Sequence, residues 1–526
     1  MLSFIAVTLG LLLCVQLWRK LRDNNSNLPP GPKGFPIVGN ITDGPPGNIP
    51  EYEHWLKFKD AYGPVSSVSM LGQPIILLHD RDAIRDILTK SSKITSSRPS
   101  FAFADMCGFG GLLNLLSFNS TYLQHRKMIH KHFGTKLVAE RFKQVENLES
   151  HRFLWNILND PAGLFKHVKS EASAVILRIT YGYSITPDSP DPLVHMIEET
   201  MDIFGQASDL LAWAVNAFPF LKHLPEGLPG TSFKQTARDW NKQLNKTLNT
   251  PYEYVSKEMA RGTHKPSYVS SLIEQEKEGA EKSGNIQAST EDVIKKTAVV
   301  MYGGGSDTTV ASLYAFILAM ILYPDVQKKA QQEIDTVVGN GRLPQFEDRD
   351  QLPYVNAIVS EVFRWHPVAP LAIPHKADEQ MSYGGFRIPK GAYLIASVWW
   401  LLNDPQTYSN PSSFDPERFL APRNEPDPTD ANFGFGRRVC PGRFVADQTV
   451  FITVARLLAA FNMTNAIDEK GNKIVPQRIG TPGLIMRLHD FSYSIKPRSE
   501  GHVRLIENFK VEYPLQDQIG ETLVDV

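Results

Sequence analysis

From Ser289 to Tyr323 this chain runs as one helix-forming stretch whose middle is apolar on nearly every face, and the rest must fold around it. Ser289-Thr290-Glu291-Asp292 is a capping sequence with acids in the first turn, and Pro324 supplies the stop. About 33 residues at about 1.5 Å each make a helix near 50 Å long, well above the globular average. A helix that is hydrophobic all round passes through a core. Helical periodicity continues on both sides, from about Gln124 to Arg364, and a second clear helix covers Gln351 to His366 before Pro367. Strand-like pieces such as Ile75-Ile76-Leu77-Leu78 and Ala392-Tyr393-Leu394-Ile395-Ala396 are short and few. The expected fold class is therefore mainly α with a small β part. The charged stretch from Glu274 to Thr290 reads as a surface loop.

Lys and Arg number 55 against 56 Asp and Glu, a formal net charge of -1 over 526 residues. That balance argues against nucleic acid as a partner, since such proteins normally carry a basic excess. The three cysteines, Cys14, Cys107 and Cys440, cannot build a disulfide framework, and no CxxC pair is present for structural zinc. Leu2 to Trp18 is almost continuously apolar, with Arg19, Lys20 and Arg22 directly after it and no Lys or Arg before. As a helix it spans roughly 26 Å, the short end of what crosses a bilayer, and the charge asymmetry places the C-terminal bulk in the cytoplasm. A cleaved signal peptide would show a basic start and a small-residue cleavage site, and neither is present. Residues 1–20 are thus expected to be a single transmembrane anchor. Residues 21–44, containing Leu28-Pro29-Pro30-Gly31-Pro32, form a stiff basic and proline-rich connector, and 45–526 the globular body.

The segment richest in chemistry is Phe433-Gly434-Phe435-Gly436-Arg437-Arg438-Val439-Cys440-Pro441-Gly442. Its glycines allow tight turns and a close approach of backbone to a ligand. Two arginines beside one thiol favour the thiolate, the form that binds metal. An apolar helix from Phe444 to Ala460 follows, so the sulfur lies just before a positive helix end. Gly434-Phe435-Gly436 also begins a dinucleotide-type GxG, but no strand leads into it and the third glycine is missing.

Phe433, Gly436, Arg438, Cys440 and Gly442 occupy every fixed position of F-x-x-G-x-R-x-C-x-G, so the segment resembles the haem-binding loop of cytochrome P-450 enzymes. Further segments fall in the family's order. Gly303-Gly304-Gly305-Ser306-Asp307-Thr308-Thr309 resembles the oxygen-activation motif, with Gly304 in the small-residue slot. Three helix glycines cost roughly 3 kcal/mol relative to alanines, and such a broken local rule in a core helix points to function. Their missing side chains are expected to open a groove, with Asp307 and Thr308 as acid and hydroxyl beside it. Glu361-Val362-Phe363-Arg364 puts Glu and Arg on one helix face and looks like the family's structural pair, with Arg418 of Pro416-Glu417-Arg418-Phe419 as the third member. Tyr122 and Arg126 match the spacing of W-x-x-x-R with Tyr in place of Trp, and Leu371-Ala372-Ile373-Pro374-His375 resembles the segment carrying a further histidine. By that correspondence Tyr122, Arg126, His375 and Arg438 face the haem propionates, with Arg126 offering a charge-assisted bond.

The resemblance implies haem (heme) b, iron protoporphyrin IX, bound through Cys440, with molecular oxygen as co-substrate and Asp307 and Thr308 as proton relay. It implies electrons from NADPH through a flavoprotein reductase, since no flavin or nicotinamide fingerprint is present, and a place in the endoplasmic reticulum membrane with the catalytic body facing the cytoplasm. Details around Pro367 to His375 look most like microsomal fungal members of secondary metabolism. Arg126, Lys127, His130, Lys131, His132, Lys136 and Arg141 form a basic cluster suited to docking an acidic reductase. Substrate contacts are expected from Phe101 to Phe118, with Met106, Leu112 and Leu116, from Val368 to Leu371, and from Thr481 to Ile485. All are mostly apolar and uncharged, which favours a lipophilic small molecule, and Thr200 to Leu224 would form the roof. Two alternatives stand beside a monooxygenase: a haem-thiolate isomerase or dehydratase, which often lacks the acid–alcohol pair, and a non-catalytic membrane haem sensor, which needs no glycine groove.

Overall fold

The computed structural model describes residues 27–36, 38–185, 191–209, 212–283 and 288–508. The expected anchor, residues 1–20, lies outside the described residues, as does the first part of the connector. From Pro29 onward the connector is laid along the sheet: Ser67 N donates to Pro30 O at 2.9 Å, and Asn40 Oδ1 accepts from Ser69 N at 2.9 Å.

The element ends follow from the residues placed there. Helix α1 (Glu51–Tyr62) leads into the antiparallel pair β1 (Val65–Met70) and β2 (Gln73–Leu78). Helix α2 (Ser120–Phe133) starts where Asn119 Oδ1 accepts from Tyr122 N, and is followed by α3 (Lys143–Asn159) and α4 (Leu164–Tyr181). Asp191 caps α5 (Pro192–Ala207), whose proline sits where a missing N–H is not needed. Next come α6 (Phe233–Arg261), α7 (Tyr268–Ser283) and the 35-residue α8 (Ala288–Leu322). Helix α9 (Pro324–Val337) lends its Glu333 to the start of α10 (Pro353–Trp365), where the carboxylate accepts the N–H groups of Tyr354 and Val355 at 2.9 Å each. Strands β3 (His375–Lys376) and β4 (Tyr393–Ala396) complete a sheet of order β1-β2-β4-β3, with β4 parallel to β2 (Ile75 beside Tyr393) and antiparallel to β3. Helix α11 (Arg443–Ala460) runs into β5 (Phe461–Thr464), which pairs with β6 (Ser494–Pro497).

The fold is thus mainly helical with small sheets, and one expectation needs correcting. Glu274 to Ser283 is not loop but the second half of α7. Buried Tyr268, Val269, Leu272 and Ile273 at its start give that helix an inner face, and the acidic residues that suggested a loop continue it outward. Among the described residues one helix is long and apolar enough to cross a membrane, Thr290–Leu322, and it is the core of the protein, with 78% of its apolar window buried.

Helix α8 serves two cores in succession. From Val310 to Ile321 it packs with Phe153 of α3, Val168 of α4, Ile358 of α10 and Phe451 of α11. Up to Tyr302 it belongs to another cluster, with Ile176 of α4, Ile197 of α5, Leu244 of α6 and Phe103. The glycine segment lies between them.

Two acids are sealed into the helices around α11. Glu146 of α3 accepts from Thr449 Oγ1 at 2.9 Å and Glu171 of α4 from Thr453 Oγ1 at 2.5 Å, while the second oxygen of each has no partner. Burial pushes both carboxyls up to about 8. The folded protein therefore keeps protons that the unfolded chain releases near 4.5. The stabilisation is complete below that value and is lost as the pH rises through about 8, at up to ~1.4 kcal/mol per pH unit for each acid. Thermal unfolding followed from pH 5 to 9 is expected to show a falling midpoint, and Glu146→Gln with Glu171→Gln, which keeps both threonine bonds, is expected to flatten the slope. An unchanged slope in that double variant would place the pH dependence elsewhere.

Candidate active site

The cysteine loop is shaped by contacts that only glycine permits. Gly436 has φ +54°, and a Cβ there would lie 2.3 Å from Leu88 O; Gly434 has φ +81°. Cys440 N donates to Phe433 O at 2.8 Å, which closes the loop, and the Phe433 ring meets Phe363 of α10 edge-on at 5.3 Å. The sulfur accepts the backbone N–H groups of Gly442 and Arg443, the first turn of α11. A Cβ on Gly442 would touch that sulfur only at 4.0 Å, so the protein alone does not demand glycine there.

The expectation that neighbouring arginines hold the thiol down does not survive. Burial pushes Cys440 up, and the cations opposing it are Arg126 and Arg443 rather than Arg437 and Arg438. Arg437 lies over the Phe118 ring, 5.4 Å from its centre. Arg438 turns the other way: Nε donates to Ser96 O at 2.6 Å, and its two Nη groups donate to Leu113 O at 3.1 Å and Leu116 O at 2.5 Å.

Around Arg438 the structure gathers positive charge without a hydrogen-bonded acid. Arg98, buried, donates to the carbonyls of Asn114, Ile373 and Pro374, and burial together with Arg438 holds its guanidinium pKa well below the usual range. His375 donates Nδ1–H to Thr95 O at 2.7 Å, and burial, Arg98 and Arg438 lower its pKa as well. Arg126 forms no side-chain hydrogen bond or ion pair among the described residues. Tyr122 departs from expectation. Its hydroxyl, with one proton to give, donates to Arg437 O at 2.6 Å, and its ring instead supports the Arg438 guanidinium at 3.8 Å. Buried cations held by carbonyls alone carry an unmet electrostatic demand. A group bearing two carboxylates meets it, and the residues present fit a haem with its propionates here and Cys440 as sulfur ligand.

The glycines of α8 divide by role. A Cβ on Gly303 would lie 2.6 Å from Met201 Sδ of α5, and one on Gly305 would lie 2.8 Å from Ile176 of α4. These two permit helix packing and open nothing. Gly304 alone faces free space, with nothing within 4 Å, so the expected groove is one residue wide on this helix. Thr308 Oγ1 donates to Gly304 O at 2.7 Å, four residues back, which leaves its lone pairs turned to that opening. Asp307 is paired through both oxygens with Arg487 at 2.8 Å.

Glu361, Arg364 and Arg418 meet at full burial. Arg364 binds Glu361 through Nε and Nη2, both at 2.7 Å, and Arg418 Nε lies 3.0 Å from the same carboxylate. Arg98 and Arg487 were not singled out from the sequence. Nothing local marks either one, and the partners that give them their place, Ile373 for Arg98 and Asp202 and Asp307 for Arg487, lie 275, 285 and 180 positions away.

A sulfur held by two backbone N–H groups beside a carbonyl-lined nest of cations is what a haem-thiolate protein requires. The chain belongs to the cytochrome P450 family, whose profile matches residues 29–486. It is 47% identical to cytochrome P450 monooxygenase CLM2 of Gibberella zeae over 98% of this chain and 97% of that protein. It is 44% identical to the multifunctional cytochrome P450 monooxygenase af510 of Aspergillus fumigatus over 94% and 92%, and 36% identical to O-methylsterigmatocystin oxidoreductase of Aspergillus flavus over 98% and 96%. The protein is a cytochrome P450 monooxygenase.

Proposed function

We propose that this monooxygenase hydroxylates or otherwise oxidises a lipophilic small molecule of fungal secondary metabolism, drawing electrons from NADPH through a flavoprotein reductase at the endoplasmic reticulum membrane. The observation that carries the substrate class is the composition of the apolar cluster that α8 joins before its glycines. Met106, Leu116 and Phe118, Met201 of α5, Val300 of α8 and Leu484 all pack against that cluster and are only partly buried. Three of them come from the Phe101–Phe118 segment and one from the Thr481–Ile485 segment, and none carries a charge. Leu112 is buried in the core instead, and Val368 is tied to the C-terminal loop by Met486 N at 2.8 Å. One relative is named O-methylsterigmatocystin oxidoreductase, which fits a small-molecule substrate.

Haem, when bound, would supply an iron for the reduction of dioxygen, made electron-rich by a soft anionic sulfur. Cys440 is the ligand. Arg98, Arg126 and Arg438 hold the carboxylates, Arg126 being the one whose donors are unspent. His375 already gives Nδ1–H to Thr95 O, so it can donate from Nε2 only when protonated, a state that an adjacent carboxylate favours. Thr308 would pass its hydroxyl proton into the opening by giving up its bond to Gly304 O, and would regain one from solvent water that donates a hydrogen bond to the Asp307 carboxylate. Glu361, Arg364 and Arg418 hold the fold. On the reductase side, Lys127, His130, Lys131, Lys136 and Arg141 stand exposed, whereas His132 turns inward against the Tyr268 ring at 5.1 Å and burial lowers its pKa.

Thr308→Ala tests the relay. Product per NADPH is expected to fall by roughly 10- to 100-fold, toward what a positioned proton carrier contributes, with hydrogen peroxide taking up the lost electrons. Product and peroxide assayed together against NADPH decide it, and wild-type coupling in the variant would end the assignment.

A further inference from the structure

Asp307 is not free to swing. Arg487 takes both of its oxygens, Nε to Oδ1 and Nη2 to Oδ2 at 2.8 Å each, and a bidentate fork fixes a carboxylate's plane as well as its position. The third arm, Nη1, reaches Asp202 Oδ1 of α5 at 3.2 Å. The arms differ in setting: the Asp307 side chain is 16% exposed and that of Asp202 is 61% exposed. Screening makes the outer contact weak and leaves the inner one strong.

The arginine is itself held on both sides of its Cα. Its N donates to Thr481 Oγ1 at 3.1 Å, and its O accepts from Thr481 N at 2.8 Å. The residue before it, Met486, donates to Val368 O. On α5, Met201 lies against Gly303, one residue before Asp202. Helix α5 therefore touches α8 directly at Gly303 and, four residues on, through Arg487 to Asp307. Lifting α5 away from α8 would break the outer arm.

We propose that Arg487 is a positioning residue for the oxygen chemistry: it orients Asp307 toward Thr308 and, through Asp202, ties that acid to the seating of helix α5 over the substrate space. The inference rests on the relay reading of Asp307 and Thr308. Proton delivery is thereby most effective when the roof is down, and a guanidinium shared between two carboxylates carries that information.

The test uses the full-chain haem protein in phospholipid vesicles with NADPH and an NADPH-dependent flavoprotein reductase, without added substrate. One dioxygen then leaves either as one hydrogen peroxide, using one NADPH and one proton, or as two waters, using two NADPH and two protons. Arg487→Gln is expected to raise the peroxide formed per NADPH at least about threefold at a similar rate of NADPH oxidation, and Arg487→Lys, which keeps the charge but not the fork, to recover part of the loss. In an Asp307→Asn background, Arg487→Gln should add nothing further. Asp202→Asn should speed hydrogen exchange across residues 200–207. A wild-type peroxide ratio in Arg487→Gln, with the carbonyl spectrum intact, would overturn the positioning role, and unchanged exchange in Asp202→Asn would overturn the tie to α5. A wild-type ratio in Asp307→Asn would remove the relay and the inference together, whereas a raised ratio there with none in Arg487→Gln would remove the inference alone. Should Arg487→Gln not fold, Arg487→Lys carries the same comparison.

Discussion

Cys440→Ser abolishes the red-displaced Soret absorption of the ferrous carbonyl complex and lowers turnover by about a thousandfold or more, equivalent to ~4 kcal/mol or more of lost barrier stabilisation. Serine is close in size and can accept the same N–H bonds from Gly442 and Arg443, so the loop is expected to fold. What it cannot provide is a polarisable anion, because a hydroxyl stays protonated where a thiol with two N–H donors and a metal ion loses its proton. The carbonyl spectrum and NADPH-dependent turnover of the purified variant check both halves. A persisting red-shifted band in the serine variant would mean that another group ligates the iron.

Arg364→Ala is expected to be the most damaging change outside that loop, costing ~3–5 kcal/mol, the usual penalty for leaving a buried ion without its partner. Glu361, Arg364 and Arg418 are each fully buried, and Arg364 also donates to Leu402 O at 2.9 Å and Ser413 O at 3.1 Å. Without it, Glu361 keeps only Arg418 Nε at 3.0 Å and the N–H of Asp415 at 2.9 Å. Arg364→Lys should rescue little, since one ammonium cannot serve a carboxylate and two carbonyls in that plane. The yield of folded, haem-loaded protein and its thermal midpoint measure the loss. A variant as stable as the wild type would show that the triad is dispensable.

Much of this was legible along the chain where the physics is local. The long apolar run became α8, the helix ending at Pro367 became α10, and the glycines of the cysteine loop correspond to φ values of +81° and +54°. Glu361 and Arg364 lie one helical turn apart, so their pairing could be read from spacing, although their burial could not. Convergence from distant segments was hidden. Nothing around Arg98 signals that it will share a nest with His375 and Arg438, which lie 277 and 340 positions later. The acidic second half of α7 reads as loop by composition, whereas the apolar face that opens the helix carries it on to Ser283. The triple glycine looks like one feature in sequence, whereas two members answer to Met201 and Ile176 and one to empty space. Only neighbours in three dimensions separate those cases.

Helix α8 changes company at its glycines, and that has an evolutionary reading. The half that packs on α3, α10 and α11 shares its cluster with the residues that carry the sulfur-bearing loop, while the half that packs on α5 and α6 borders the apolar lining. Mutations in the second region can alter which molecule is accommodated so long as they spare Tyr122, Phe444 and Val445, which belong to that region yet adjoin the arginine nest and the start of α11. Lineages with this architecture can diversify their chemistry of choice without rebuilding the machinery that activates oxygen.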